Sequence, residues 1–198
     1  GLMGAFTENT GISYQDLTFK LNFPTRKAGT FSIWGIGLLD MNKDDAVKNH
    51  SEWETFADRQ KSKTTMAKGA GGITHKYNLD ADAYFKTSLA ATYSDNRPKV
   101  EQLLSQNSSY YLPVVDMKST NLDIVLNSYF NKKYSSRHTN RSGITITGLL
   151  YDLDFNLSPN FGQNKPMQRI VKGNGEAMVL SAYSNYIFKL TDKLTANV

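Results

Sequence analysis

Apolar and polar residues alternate along this chain in long runs, and short polar turns interrupt the runs at even intervals. Over residues 17–23, Leu17, Phe19, Leu21 and Phe23 alternate with Thr18, Lys20 and Asn22. An extended strand with that pattern has one apolar face and one polar face. Pro24, Thr25, Arg26, Lys27, Ala28 and Gly29 are turn formers, and residues 30–39 return as a second strand. On the return, Gly35 and Gly37 share a face with Phe31, Ile33 and Leu39, where they relieve crowding or allow curvature. The same period recurs over 71–93, with Ile73, His75, Tyr77 and Leu79 on one strand and Phe85, Leu89 and Tyr93 on the next. A third hairpin pairs 122–130 with 144–151. A fourth carries Met178, Leu180, Ala182, Tyr186, Phe188 and Leu190 before a turn at 191–193 and a further strand running to Val198.

The tight turns centre near Arg26, Asp80, Arg137 and Thr191, which are 54, 57 and 54 residues apart. Between them fall three longer connections, 40–69, 94–120 and 156–175. Short turns at one rim and long loops at the other are the rhythm of a transmembrane β-barrel. Strands of about 10 residues suit a tilted membrane crossing, whereas soluble strands run nearer 5 or 6. The predicted fold is therefore all-β, an antiparallel up-and-down meander of about eight long strands forming part of a larger transmembrane β-barrel. Phe23, Tyr77, Tyr84, Phe130, Tyr186 and Phe188 sit close to the turn ends, where a barrel has an aromatic girdle. Cross-strand packing in a soluble sheet uses the same residues, and the pattern alone leaves both readings open.

The long connections are expected to be folded. Ser51-Glu52-Trp53-Glu54 is a capping-box pattern that would start a short helix carrying Trp53, Phe56 and Ala57. Pro98 followed by Val100, Leu103 and Leu104 at helical spacing predicts a second helix. Loop aromatics Trp53, Tyr110 and Tyr111 are the candidate ligand contacts, since each offers an apolar face with a polar tip to sugars, chelates or loop packing.

Composition narrows the class. The 198 residues include 11 Tyr, 10 Phe and 14 Gly, enough for one domain with a substantial core. Mean hydropathy is -0.47, which does not decide between water and membrane because only alternate barrel residues face lipid. No apolar run reaches the length of a transmembrane helix. The first residues lack the basic and apolar regions of a signal peptide. There are no cysteines, hence no disulfides and no thiolate metal sites. The net charge of +5 is dispersed, apart from the stretch Lys132-Lys133-Tyr134-Ser135-Ser136-Arg137-His138-Thr139-Asn140-Arg141. That stretch is expected to be a solvated basic turn near a phospholipid or lipid-A surface and not a nucleic-acid patch.

Candidate chemistry is sparse. Asp40-Met41-Asn42-Lys43-Asp44 matches the first acidic positions of a calcium loop, but Asp45 stands at the glycine position and Ser51 at the glutamate position. An ordinary acidic loop start is expected there. Asp152 and Asp154 project from one strand face and are the best carboxylate pair, with lumen-facing acids the simpler explanation. His50, His75 and His138 lack metal-ligand spacing. The run Lys68-Gly69-Ala70-Gly71-Gly72 lacks the ending of a phosphate loop and reads as a flexible entry into the third strand. No enzymatic activity, metal or cofactor is expected.

Specific stretches resemble the barrel of Bacteroidetes-type TonB-dependent outer-membrane receptors. They are 14–25 (Tyr14-Gln15-Asp16-Leu17 through Phe23-Pro24-Thr25), 27–35 (Lys27-Ala28-Gly29 through Trp34-Gly35), 72–77 and 137–143. The resemblance spans nearly the whole chain and consists of strand-and-turn patterns. It implies a barrel of about 22 strands with a plugged lumen, located in the cell outer membrane, which imports a metal chelate, cobalamin or oligosaccharide. It also implies partners: outer-membrane lipid, the TonB complex, the nutrient ligand and a surface lipoprotein, with no nucleic acid. Ligand capture in that family would fall here on 40–69, 94–120 and 156–175. The chain departs from the family in having no plug, no TonB-contacting segment and no terminal aromatic strand. Residues 1–198 are therefore expected to be a single, incomplete barrel segment. A complete soluble all-β ligand-binding module is the alternative.

Overall fold

The computed structural model describes residues 10–105, 109–159, 165–191 and 194–197. Strand makes up 79% of the chain and helix 3%, so the protein is all-β. Eight strands lie in one antiparallel sheet in sequence order: β1 (Thr10–Pro24), β2 (Thr30–Asp44), β3 (Gln60–Asn78), β4 (Ala83–Leu103), β5 (Tyr111–Ser135), β6 (His138–Leu157), β7 (Gln168–Lys189) and β8 (Thr195–Asn197). Each strand pairs with its sequence neighbours, and the sheet does not close on itself. Seven of the strands are 15 to 25 residues long, well beyond the soluble norm of about 5 or 6.

The four tight turns stand where the sequence puts them. Thr25 closes the first by donating its N–H to Gly29 O at 2.8 Å and its hydroxyl to the same oxygen at 2.7 Å. Gly29 has φ 83°, and a Cβ there would stand 2.2 Å from Lys76 O, so only glycine fits. In the second turn the Leu79 N–H reaches Ala83 O at 2.9 Å, and Asp80 accepts the Asp82 N–H at 2.7 Å. The third is much tighter than the basic stretch 132–141 suggests. Ser136 and Arg137 alone make it, because the β5–β6 ladder runs on to Ser135↔His138 after a bulge at Lys133. Leu190 N–H to Leu194 O, 2.9 Å, closes the fourth. Of the turn and strand expected at 191–198, residues 192, 193 and 198 lie outside the described residues.

The opposite end departs from expectation. The connections are 45–59, 104–110 and 158–167, much shorter than 40–69, 94–120 and 156–175, with 106–108 and 160–164 outside the described residues. Apolar alternation stops near Leu39, Ala67, Tyr93 and Leu122, but the backbone ladder continues, with charged and hydroxyl residues as the cross-strand pairs. The helix expected after Pro98 is absent, since Pro98 lies inside β4 and faces Thr64 of β3. On its other side the ladder to β5 lapses between Asn96↔Ser119 and Lys99↔Asp116. A proline without an N–H is tolerated in a strand where no ladder bond is required of it. The calcium-like run 40–44 is likewise strand and not loop. The capping-box helix is replaced by two 3-10 turns, His50–Glu52 and Ala57–Arg59, and the cap is Asn49.

Little of the molecule is a conventional core. Leu103, Val114, Gln102, Ala46 and Ser158 are each buried near the loop end, and Ala83 and Asn140 are buried at the turn end. A compact protein of 22.2 kDa exposes about 9,400 Å², whereas this chain exposes 13801 Å². The excess is that of a sheet open on both faces.

Candidate functional site

The register puts the two faces of the sheet back to back with unusual regularity. One row across seven strands reads Leu21, Ile33, Ile73, Leu89, Leu126, Ile146 and Leu180. The adjoining residue of each strand, on the opposite face, gives a second row: Asn22, Ser32, Thr74, Ser88, Asn127, Thr145 and Ser181. The polar row bonds to itself. Ser32 donates to Asn22 at 2.7 Å, Thr74 and Ser88 share a bond of 3.1 Å, and Asn127 donates to Thr145 at 2.7 Å. In a water-soluble sheet the aliphatic row would be the covered one. Here Leu21 is 53% exposed, Ile73 51%, Leu89 51% and Leu180 69%. In β2 and β3, Ser32 and Thr74 are the less exposed neighbours of Ile33 and Ile73.

Toward the turn end the apolar face is edged by rings. Phe23, Phe31, His75, Tyr77, Phe85 and Phe130 lie on it, followed by His138, Tyr186 and Phe188. Phe31 and His75 stack at 4.3 Å, Phe85 and Phe130 stand 4.8 Å apart, and His138 stacks on Phe188 at 4.6 Å. Tyr84 is the exception among the expected girdle residues. Its register with Asn78 and Asn131 puts it on the polar face, where Lys76 Nζ stands 4.4 Å from its ring centre. Toward the loop end the face ends in charge, with Arg97–Asp95 at 2.9 Å, Lys118–Asp152 at 2.9 Å and Arg169–Asp154 at 3.4 Å.

Those contacts account for the carboxylate pair. Asp152 and Asp154 do share a face of β6, but it is the aliphatic face of Ile146 and Leu150 and not the hydroxyl face that lumen-facing acids would occupy; each is held by a cation from a neighbouring strand, and Asp154 also accepts from Asn156 at 3.0 Å. The histidines do not converge. His75 and His138 belong to the ring belt, while His50 sits in the 45–59 loop, 4.3 Å from the Trp53 ring. Among the described residues no three His, Asp or Glu side chains gather as a metal site. The glycine-rich run 68–72 is regular strand within β3.

Trp53, Tyr110 and Tyr111 all lie at the loop end. Trp53 is half-buried in the 45–59 loop, donates its indole N–H to Val47 O at 2.9 Å and carries the Arg59 guanidinium 5.2 Å from its ring. Asp58 pins the same loop by accepting the N–H groups of Glu54 at 2.9 Å and Thr55 at 2.6 Å. The Thr55 backbone bond is the leading cause that holds the Asp58 carboxyl below the usual carboxylate value, aided by the Thr55 hydroxyl. Tyr111 opens β5 with Lys61 Nζ 4.1 Å above its ring, and Tyr110 is 67% exposed beside it. The three aromatics therefore form two groups, one inside a folded loop and one at the head of a strand.

Sequence reasoning missed the hydroxyl and amide row. Its signal was present, since every strand has an Asn, Ser or Thr beside an aliphatic residue, but only the register aligns them. No family model, curated protein or solved structure matches the chain.

Proposed function

We infer that this chain is a barrel segment of an outer-membrane TonB-dependent transporter that imports a scarce nutrient, such as a metal chelate, cobalamin or oligosaccharide. The observation that carries the membrane part is the paired rows: an aliphatic row across seven strands, exposed on all but β6, backed by a hydroxyl and amide row whose members bond in pairs on β1–β2, β3–β4 and β5–β6. A lipid-facing exterior and a wet interior require that inversion. Among the described residues no strand pairs with the outer edge of β1, which supports continuation into a larger barrel, because long flat edges left bare are templates for further pairing. The transporter class rests on the resemblance in 14–25, 27–35, 72–77 and 137–143. In this reading the tight turns face the periplasm and the loop end, with Trp53, Tyr110 and Tyr111, faces the outside and meets the nutrient.

Spin labels on adjacent residues test the membrane part in the protein as it sits in its outer membrane. Labels at Ile73 and Leu126 should relax with dissolved oxygen, which concentrates in lipid, and labels at Thr74 and Asn127 with a water-soluble nickel complex. Equal access of nickel to all four sites overturns the membrane assignment. Uptake of labelled nutrient that persists after loss of the proton-motive force overturns the TonB-dependent class.

A further inference from the structure

Beyond the apolar face, toward the loop end, three neighbouring strands carry a row of lysines. Lys43 stands opposite Lys63, and Lys63 opposite Lys99. Like charges directly across a ladder oppose pairing, so this register calls for a counter-charge. The chain provides only part of one. Asp116 reaches Lys99 at 3.6 Å, and no carboxylate among the described residues forms an ion pair with Lys43 or Lys63. The three lysines line a pocket of about 220 Å³ together with Lys61, Asp45 and Glu101, and Lys61 already holds Glu101 at 2.9 Å. Elsewhere in the charged belt the signs alternate and pair, as in Arg97–Asp95 and Lys118–Asp152. The lysine row is the departure.

A second feature lies on the same strands and the same face. Gly37 of β2 faces Gly69 of β3 on the floor of a mainly apolar groove of about 440 Å³ walled by Leu17, Leu39, Ala67 and Tyr93, with Gln15, Asp16 and Lys68 also bordering it. A Cβ at Gly37 would meet nothing within 4 Å, so the floor is open. From Gly37 to Lys43 the strand rises about 20 Å. An apolar groove that ends one strand-length below a cationic row only partly compensated by Asp116 has the layout of a lipid: chain below, phosphate above. Basic residues at a membrane surface are drawn to anionic headgroups.

We propose that β2, β3 and β4 hold an anionic lipid, its phosphate against Lys43, Lys63 and Lys99 and an acyl chain in the groove floored by Gly37 and Gly69. The assignment rests on the reading that the apolar face lies against lipid. The lysines set the preference for a charged headgroup. The groove separates a lipid phosphate from a free one.

The test uses the whole protein in nanodiscs of phosphatidylcholine with a minor share of phosphatidylglycerol, with retained lipid counted by native mass spectrometry. The wild type should keep phosphatidylglycerol over phosphatidylcholine. Combining Lys43→Gln, Lys63→Gln and Lys99→Gln should cut that preference tenfold or more, and Gly37→Leu should cut it with the lysines intact. Lys118→Gln, which removes a paired cation from the same belt, should leave it unchanged. Heat-dependent gel mobility checks that each variant is folded. Equal retention by the wild type and the triple-lysine variant overturns the proposal. So does inorganic phosphate that binds the lysines while Gly37→Leu keeps wild-type lipid, since the site then serves a free anion. A protein that fails to enter nanodiscs overturns the membrane reading itself, whereas one that enters without lipid preference overturns only the lipid site.

Discussion

The ring of Phe19 lies across Gly35 on the neighbouring strand, where a Cβ at position 35 would stand 2.6 Å from Phe19 Cε1 and 2.9 Å from Cζ. The ring covers backbone that glycine leaves bare, a cross-strand arrangement that recovers packing lost at a glycine. It also shows that glycines on this sheet serve different ends. Gly37 borders open space, Gly35 accepts a ring, and Gly143 is closed in by backbone, with Ser128 O only 2.7 Å from where its Cβ would be.

Alanine at these three glycines should therefore act in order. Gly37→Ala should change stability by less than about 0.5 kcal/mol. Gly35→Ala must push aside a ring at the surface, so its cost should be intermediate. Gly143→Ala meets both Ser128 O and Tyr129 Cβ, and overpacking against atoms that cannot yield costs about 1–3 kcal/mol. Urea unfolding in lipid vesicles measures all three, and a Gly37 variant weaker than the Gly143 variant would contradict the geometry.

A single lysine distinguishes the two faces. Phe19 is 43% exposed on the apolar face, and Thr18 precedes it on the polar one. Lysine on a lipid face near the midplane costs about 2–4 kcal/mol, so Phe19→Lys should lose about that much in vesicles. Thr18→Lys should stay within about 0.5 kcal/mol. Equal losses at both positions would mean that the apolar face does not meet lipid.

The turns and the face assignments were legible because each depends on a few adjacent residues. Thr25 and Gly29 close their own turn, and the alternation from Leu17 to Phe23 fixes a face without reference to any other strand. What was not legible depends on partners. Tyr84 looks like a girdle residue until its pairing with Asn78 and Asn131 turns it to the polar face. Residues 94–103 look like a loop with a helix because Asn96, Arg97 and Pro98 carry no apolar alternation, yet β3 on one side is ladder enough to keep them extended. The charged ends of the strands are held by pairs such as Lys61–Glu101, whose members lie 40 residues apart. No local pattern announces that pairing. At the candidate site, the loop-end position of Trp53, Tyr110 and Tyr111 was legible. Their division into a pinned loop and a strand head was not, since it depends on Val47, Arg59 and Lys61.

At the turn end, Lys132 Nζ donates to Asp80 Oδ2 at 3.0 Å. That bond is the leading cause that holds the Asp80 carboxyl below the usual carboxylate value, followed by the Asp82 N–H. A carboxylate with a lowered folded-state pKa stabilises the fold fully above its unfolded value, about 3.9. The contribution is lost as pH falls through the lower, folded value. Asp80→Asn should thus be less stable than the wild type near neutral pH, with the gap closing only below about pH 4. Unfolding midpoints compared at neutral and acid pH test this, and a gap that closes between pH 5 and 7 would contradict it.

The loop at 45–59 should open from either of two points. The Asp58 carboxylate accepts the N–H groups of Glu54 and Thr55 and fixes the second half of the loop, while the Val47 N–H reaches the Asp58 backbone carbonyl at 2.8 Å, a bond that a substitution at 58 keeps. Trp53 ties the two halves together through its indole bond to Val47 O and its contact with Arg59. Loss of either tie leaves backbone groups to water and lowers the free energy of local opening. Asp58→Ala and Trp53→Ala should each speed protease cleavage within 45–59, while cleavage elsewhere stays at the wild-type rate. Asp58→Asn keeps an acceptor oxygen and should fall between Asp58→Ala and the wild type. If Asp58→Ala and Trp53→Ala digest at the wild-type rate, the loop is held by other contacts.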